Sequence, residues 1–317
     1  MLQGGLEIVC ASICAGFVQH AALHPLDTIK VRLQYEKPLR GDALEALFPQ
    51  APTAKRLGRF AGALAPPNAN WNAPLLGDLA GAYKILRTSS PRTLYRGLAP
   101  SLAAVVPTAI VYMPTYEAAS ALLTAASAVP AVAVAPLAGV MTGVACAAVR
   151  VPASVLKSRV QLGLAPDAWT AFKTALKSGG PRALYVGFSA TVALDVAVAV
   201  VQFSALDFGR RHTGLNNAQL GFVASALATV ATEPLDVVRT RIMAQLRREE
   251  GSKAKGRNFD YRGLRDGISK ATAAEGVSAL YRGLLPRLLL KSVGGAIWYS
   301  TYVSTKALFL DVNAPPR

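Results

Sequence analysis

Three stretches of the chain set a proline, an acid or its replacement, and two bases at fixed spacing. They are HPLDTIKVRLQ at 24–34, VPASVLKSRVQ at 151–161 and EPLDVVRTRIM at 233–243. Counting from Pro25, Pro152 and Pro234, the second residue on is Asp27, Ser154 or Asp236 and the fifth is Lys30, Lys157 or Arg239. The seventh is Arg32, Arg159 or Arg241. Carboxylates and cationic side chains at this spacing can pair and part reversibly. They do not form a bond-making set, since no Ser/His/Asp spacing, metal cluster or phosphate-binding loop accompanies them, so an enzyme is disfavoured. A proline inside a helix removes a backbone hydrogen bond and bends the helix. Each stretch therefore reads as a bent helix that carries an acid and a base to its neighbours.

A second motif follows each of the three. It is SSPRTLYRG at 89–97, GGPRALYVG at 179–187 and EGVSALYRG at 275–283. Three copies of a two-part pattern in one order indicate three internal repeats, expected over 1–127, 128–214 and 215–317. Each proline motif closes an apolar segment and each LYxG opens another. The apolar segments lie at roughly 5–34, 98–125, 131–161, 188–209, 217–245 and 284–310, each near or above the ~20 residues that cross a bilayer. The expected fold is an all-α membrane protein of six spanning helices in three helical hairpins. Short amphipathic helices are expected before each LYxG, in GDLAGAYKIL, DAWTAFKTAL and YRGLRDGISKA. The linker 35–77, rich in Ala, Pro and Asn, reads as a surface insertion of low order.

Composition agrees with the membrane reading. Of 317 residues, 52% are hydrophobic and 16% charged, against about 25% charged in soluble domains. The net charge of +16 sits in short clusters between apolar runs rather than in one stripe. That distribution fits loops on one side of a membrane or contact with anionic lipid and disfavours nucleic acid as a partner. Cys10 and Cys14 read as small packing residues, and no metal site is expected. MLQGGLEIVC shows no cleavable leader, so an internal address is expected.

The tripled motif, PxDxxKxR followed by LYxG, resembles the mitochondrial carrier family over essentially the whole chain. The resemblance implies pseudo-threefold symmetry around a central cavity, matrix-side short helices and alternating access across the mitochondrial inner membrane, with the plastid envelope as another address. It implies a matrix gate that pairs Asp27 with Lys157 and Asp236 with Lys30, braced by Gln34 and Gln161, with no acid at Ser154 to meet Arg239. It implies a cytoplasmic gate that pairs Glu117 with Arg210 and Asp207 with Lys306. Arg96, Gly97, Gly187, Arg282 and Gly283, where the even helices begin, become candidate contacts for cardiolipin, a bound structural lipid, since free amides at a helix start hold phosphate. A small-molecule substrate, no cofactor and a monomer are further implications.

The family's substrate positions fall at Ala104–Val105, Leu194–Asp195 and Leu290–Lys291, with His20 and Gln202 beside them. An acid or base inside a membrane span is a functional candidate by default. Asp195 suits an ammonium or sulfonium and Lys291 a carboxylate, which fits a zwitterion and argues against nucleotides. An Asp195–Lys291 bridge with no ligand role is the bland alternative. Within the family the likeness is to the S-adenosylmethionine carriers, carried by VRVPASVLKSRVQ, Gln202–Phe203 and Gly294–Gly295. Two departures stand out. Those carriers have a basic–acidic pair where this chain has Leu194–Asp195, and an acid where it has His20. His20 also suggests the iron carriers of the family, but one imidazole is a poor metal site. A non-transporting scaffold is the remaining alternative.

Overall fold

The computed structural model describes residues 2–35, 74–126, 130–214, 217–245 and 259–312. The insertion at 35–77 and the basic linker of the third repeat lie largely outside them. Six long helices dominate: α1 (Leu2–Tyr35), α4 (Leu98–Ala125), α5 (Ala131–Gln161), α7 (Phe188–His212), α8 (Asn217–Ala244) and α10 (Leu284–Val312). Between the members of each hairpin lies a shorter helix: α2 (Pro74–Thr88) followed by the single turn α3 (Pro91–Leu94), then α6 (Ala168–Gly179), then α9 (Leu264–Glu275). Among the described residues there is no strand.

Among the described residues, five stretches are long and apolar enough to cross a membrane: Val9–Tyr35, Pro91–Ala125, Leu137–Gln161, Ala168–His212 and Gln219–Ala244. The sequence suggested six. The sixth long helix, α10, has 29 residues, ample for a bilayer core of ~30 Å at 1.5 Å per residue. It carries Arg287 and Lys291 in its first half and a WYSTY run beyond.

The six helices close into a ring. Each packs against the next in chain order, and α10 returns to α1. Their outer faces leave Ile110, Leu122, Phe203, Phe222 and Leu227 exposed, while His24, Gln34, Glu233, Asp236 and Arg241 are buried inside. This inversion of the soluble pattern is what a lipid solvent selects. At the proline-motif end, each short helix is fastened to its hairpin by an apolar cluster. Ile29 and Leu33 meet Ile85 and Leu94, Val160 meets Ala165 and Ala171, and Val238 and Ile242 meet Ala271 and Leu280.

Gly97, Gly187 and Gly283 cap the starts of α4, α7 and α10 with φ of 86°, 82° and 85°, left-handed values that favour glycine. They also lie against the next repeat. A Cβ on Gly97 would come 3.1 Å from Gln161 Cγ, one on Gly187 3.1 Å from Met243 Cγ, and one on Gly283 2.9 Å from Gln34 Cγ. The residue nine after each proline thus seats on the glycine of another repeat, and the three contacts run round the ring.

Candidate substrate cavity and gates

At the proline-motif end the acids and bases of different repeats meet. Lys157 Nζ lies 2.7 Å from Asp27 and Lys30 Nζ 2.6 Å from Asp236. The amide of Gln161 donates to Asp27 at 2.9 Å and to Thr28 at 3.1 Å. Gln34 donates to Asp236 at 2.9 Å and to Glu233 at 3.1 Å, and accepts from Thr240 at 2.7 Å. With Ser154 in place of an acid, Arg239 turns to Thr191 at 2.9 Å and back to Asp236 at 3.6 Å.

One buried pair was not anticipated from the sequence. Arg287 lies 3.0 Å from Glu233 and 3.5 Å from Asp236, and donates to the Thr229 carbonyl at 3.1 Å. Its sequence signal is the acid directly before Pro234, where the other repeats have His24 and Val151. The Pro-motif end is therefore shut by a network of two cross-repeat pairs thickened on the third-repeat side.

The opposite end is open. Glu117 and Arg210 are both exposed, and among the described residues no ion pair joins them. Asp207 pairs with Arg211 one turn along its own helix, at 2.9 Å; the side chain of Lys306 lies outside the described residues. The Glu117–Arg210 pair suggested by the sequence is thus not made in this conformation, and the Asp207–Lys306 pair lies outside the described residues. A local i,i+4 partner takes Asp207.

Between the two ends lies a cavity of about 910 Å³. Ala104, Val105, Leu194, Asp195, Leu290, Lys291 and His20 all line it, with Tyr112 and Trp298. Gln202 is not in the lining. It sits two turns beyond Asp195 on α7, nearer the open mouth. The Asp195–Lys291 bridge is not formed either. Asp195 pairs at 2.5 Å with Arg150, which reaches across from α5 two residues before Pro152. Both side chains remain about two-fifths exposed, at 40% and 38%, so a solute in the cavity can reach them. His24 borders the cavity at its closed end. It is buried, with Nε2 3.0 Å from the Arg96 carbonyl and its ring stacked on Tyr95.

The start of α10 differs from a bare helix terminus. Asp78, from α2, accepts from the Gly283 amide at 2.9 and 3.0 Å and from the Leu285 amide at 3.3 Å. A lipid phosphate at Gly283 would meet a carboxylate already seated there, which moves the lipid expectation to Gly97 and Gly187. Burial pushes the Asp78 carboxyl above its ordinary range, against the amides that favour its charged form.

The sequence profile described as "Mitochondrial carrier protein" matches residues 71–127, 130–217 and 210–313. The chain belongs to the mitochondrial carrier family. It is a multi-pass membrane transporter, not an enzyme. This carrier is 30% identical over 302 residues to "S-adenosylmethionine carrier 1, chloroplastic/mitochondrial" of Arabidopsis thaliana, covering 92% of this chain and 75% of that one. It is 28% identical over 314 residues to the "Mitochondrial S-adenosylmethionine carrier protein" of Xenopus tropicalis, covering 95% and 97%. A human "Mitochondrial glutathione transporter" is 26% identical over 343 residues, covering 97% and 95%.

Proposed function

We propose that this carrier moves S-adenosylmethionine across the mitochondrial inner membrane by alternating access, in exchange for S-adenosylhomocysteine. The observation that carries the reading is the placing of opposite charges in one cavity, Asp195 paired with Arg150 and Lys291 on the same wall set. S-adenosylmethionine brings a sulfonium and an ammonium for Asp195 and a carboxylate for Arg150 and Lys291. Tyr112 and Trp298 offer faces on which adenine can stack. The similarity to S-adenosylmethionine carriers of plant and frog supports it.

In this mechanism the cytoplasmic mouth is the open side, and the Asp27–Lys157 and Lys30–Asp236 pairs, with their glutamine braces, form the closed matrix gate. Bound substrate must favour the matrix-open state by enough to part both pairs. Entry of the substrate cation at Asp195 releases Arg150 to the substrate carboxylate, so the internal ion pair is exchanged for two external ones. Cardiolipin at Arg96, Gly97 and Gly187 steadies the starts of α4 and α7, and a monomer suffices, since one chain encloses the cavity. The plastid envelope is the other address in keeping with the relatives' names.

A second reading is favoured by one observation. The cavity holds two bases, Arg150 and Lys291, against Asp195, a balance that also suits a zwitterion with a second carboxylate, and the glutathione transporter is similar over nearly its whole length. A thermal-shift panel of S-adenosylmethionine, S-adenosylhomocysteine, glutathione, amino acids, nucleotides and Fe²⁺ separates these. Only ligands bound by the folded state raise its melting temperature. S-adenosylmethionine should raise it in the wild type and not in Asp195→Ala. A rise with glutathione alone would replace the first reading by the second, and no rise across the panel would favour a scaffold.

A further inference from the structure

The arginines seven residues after each proline, Arg32, Arg159 and Arg241, occupy equivalent places but have unequal surroundings. Arg32 donates to Ser89 at 2.8 Å and to the Gln161 carbonyl at 3.2 Å. Arg241 donates to Glu275 at 3.0 and 3.3 Å and to the Gln34 carbonyl at 2.9 Å. Ser89 and Glu275 are themselves equivalent, each eight residues before the glycine of its LYxG motif. In the second repeat that place is Gly179.

Arg159 is buried at 3% exposure, close to Arg241 at 0% and deeper than the half-buried Arg32. Its Nε and Nη1 are sealed from solvent and have no hydrogen-bond partner, and no ion pair reaches it among the described residues. A guanidinium is charged at every working pH and cannot escape by losing its proton. Buried charge without a counter-ion is strongly unfavourable. Room exists where the partner is missing. A Cβ on Gly179 would meet only Ala183, at 3.3 Å, and one on Gly180 would meet nothing within 4 Å. The exposed side chains of Lys177 and Arg182 flank this corner and raise the local positive potential.

We propose that Arg159 is the seat of a bound oxyanion, a phosphate group, held at the corner between α6 and the following turn where Gly179 leaves out the side chain that repeats one and three supply. The phosphate comes either from solution or from a lipid headgroup. Planar guanidinium groups take phosphate oxygens two at a time, and the site is separate from the substrate cavity, whose lining does not include Arg159. The proposal is independent of which solute is carried.

The test uses the full chain in an uncharged detergent at constant ionic strength, with melting temperature as the readout. Inorganic phosphate, and in a second arm phosphatidic acid against phosphatidylcholine, is titrated into wild type, Arg159→Gln and Gly179→Glu. Glu at 179 supplies the internal carboxylate that Glu275 gives Arg241. Wild type should rise saturably, on the order of 5 °C at a hundred-fold excess over the dissociation constant. Gly179→Glu should start higher than phosphate-free wild type and gain little, and Arg159→Gln should not respond. A rise with phosphatidic acid but not with inorganic phosphate assigns the site to lipid, and a rise with both assigns it to phosphate groups of either source. An equal rise in all three proteins, which a general salting-out effect gives, or no rise in wild type in either arm, overturns the proposal.

Discussion

Asp78 shows how one side chain can change what a helix terminus does. Its carboxylate sits on the Gly283 and Leu285 amides, tying the first repeat to the third. Burial raises its pKa above the ordinary carboxylate value, so the folded state holds its proton to higher pH than the unfolded chain. This group's stabilisation is complete below about pH 4 and is lost as pH rises through the raised value. Wild type should therefore lose more melting temperature than Asp78→Asn as pH rises from about 4, measured on both proteins in one buffer series. A parallel loss in both would mean that Asp78 titrates normally. The sequence did not reveal this residue as a cross-repeat contact. It stands once, at the start of a short amphipathic helix, and has no echo to fix its partner. Asp27, Lys30, Lys157 and Asp236 were legible because the repeats set their register. Arg150 against Asp195 and Glu233 against Arg287 were not, because each depends on how far two helices stand apart.

At the scale of elements, the short helices and the starts of α4, α7 and α10 are what hold the ring at its closed end. The amphipathic spacing of GDLAGAYKIL and its counterparts was enough to place α2, α6 and α9, while the interlock of Gly283 with Gln34 needed coordinates. Gly283 is left-handed at φ 85°, and a Cβ there would press on Gln34 Cγ at 2.9 Å and the Lys30 carbonyl at 3.4 Å. Gly283→Ala should cost about 1–2 kcal/mol from the backbone alone, and more from displacing Gln34, the brace of the Lys30–Asp236 pair. Denaturation of the variant should begin earlier than that of Gly163→Ala. Gly163 also has a positive φ, 71°, but its Cβ would meet nothing within 4 Å. Equal losses at the two positions would show that the interlock adds nothing.

For the whole molecule, the decisive asymmetry is a ring closed at one end by two cross-repeat pairs and open at the other. The missing third acid leaves Arg239 shared between Thr191 and Asp236. Ser154→Asp should give Arg239 its own partner, raise the melting temperature and slow transport, because a third pair must then part in each cycle. Faster transport in that variant would argue against the gate. The sequence indicated the tripled architecture well, since repeats are visible at any divergence that keeps Pro, Gly and charge spacing. The open state of the far end was not legible, because a sequence encodes both conformations at once. The central claim, that Asp195 in this cavity holds the cation of a transported zwitterion, is tested most directly by uptake of labelled S-adenosylmethionine into liposomes containing the purified carrier. Saturable uptake by wild type and a fall of roughly 30- to 100-fold in kcat/KM for Asp195→Ala, the loss expected for one charged partner, is the predicted result. Undiminished uptake by Asp195→Ala, or none by wild type, would contradict it.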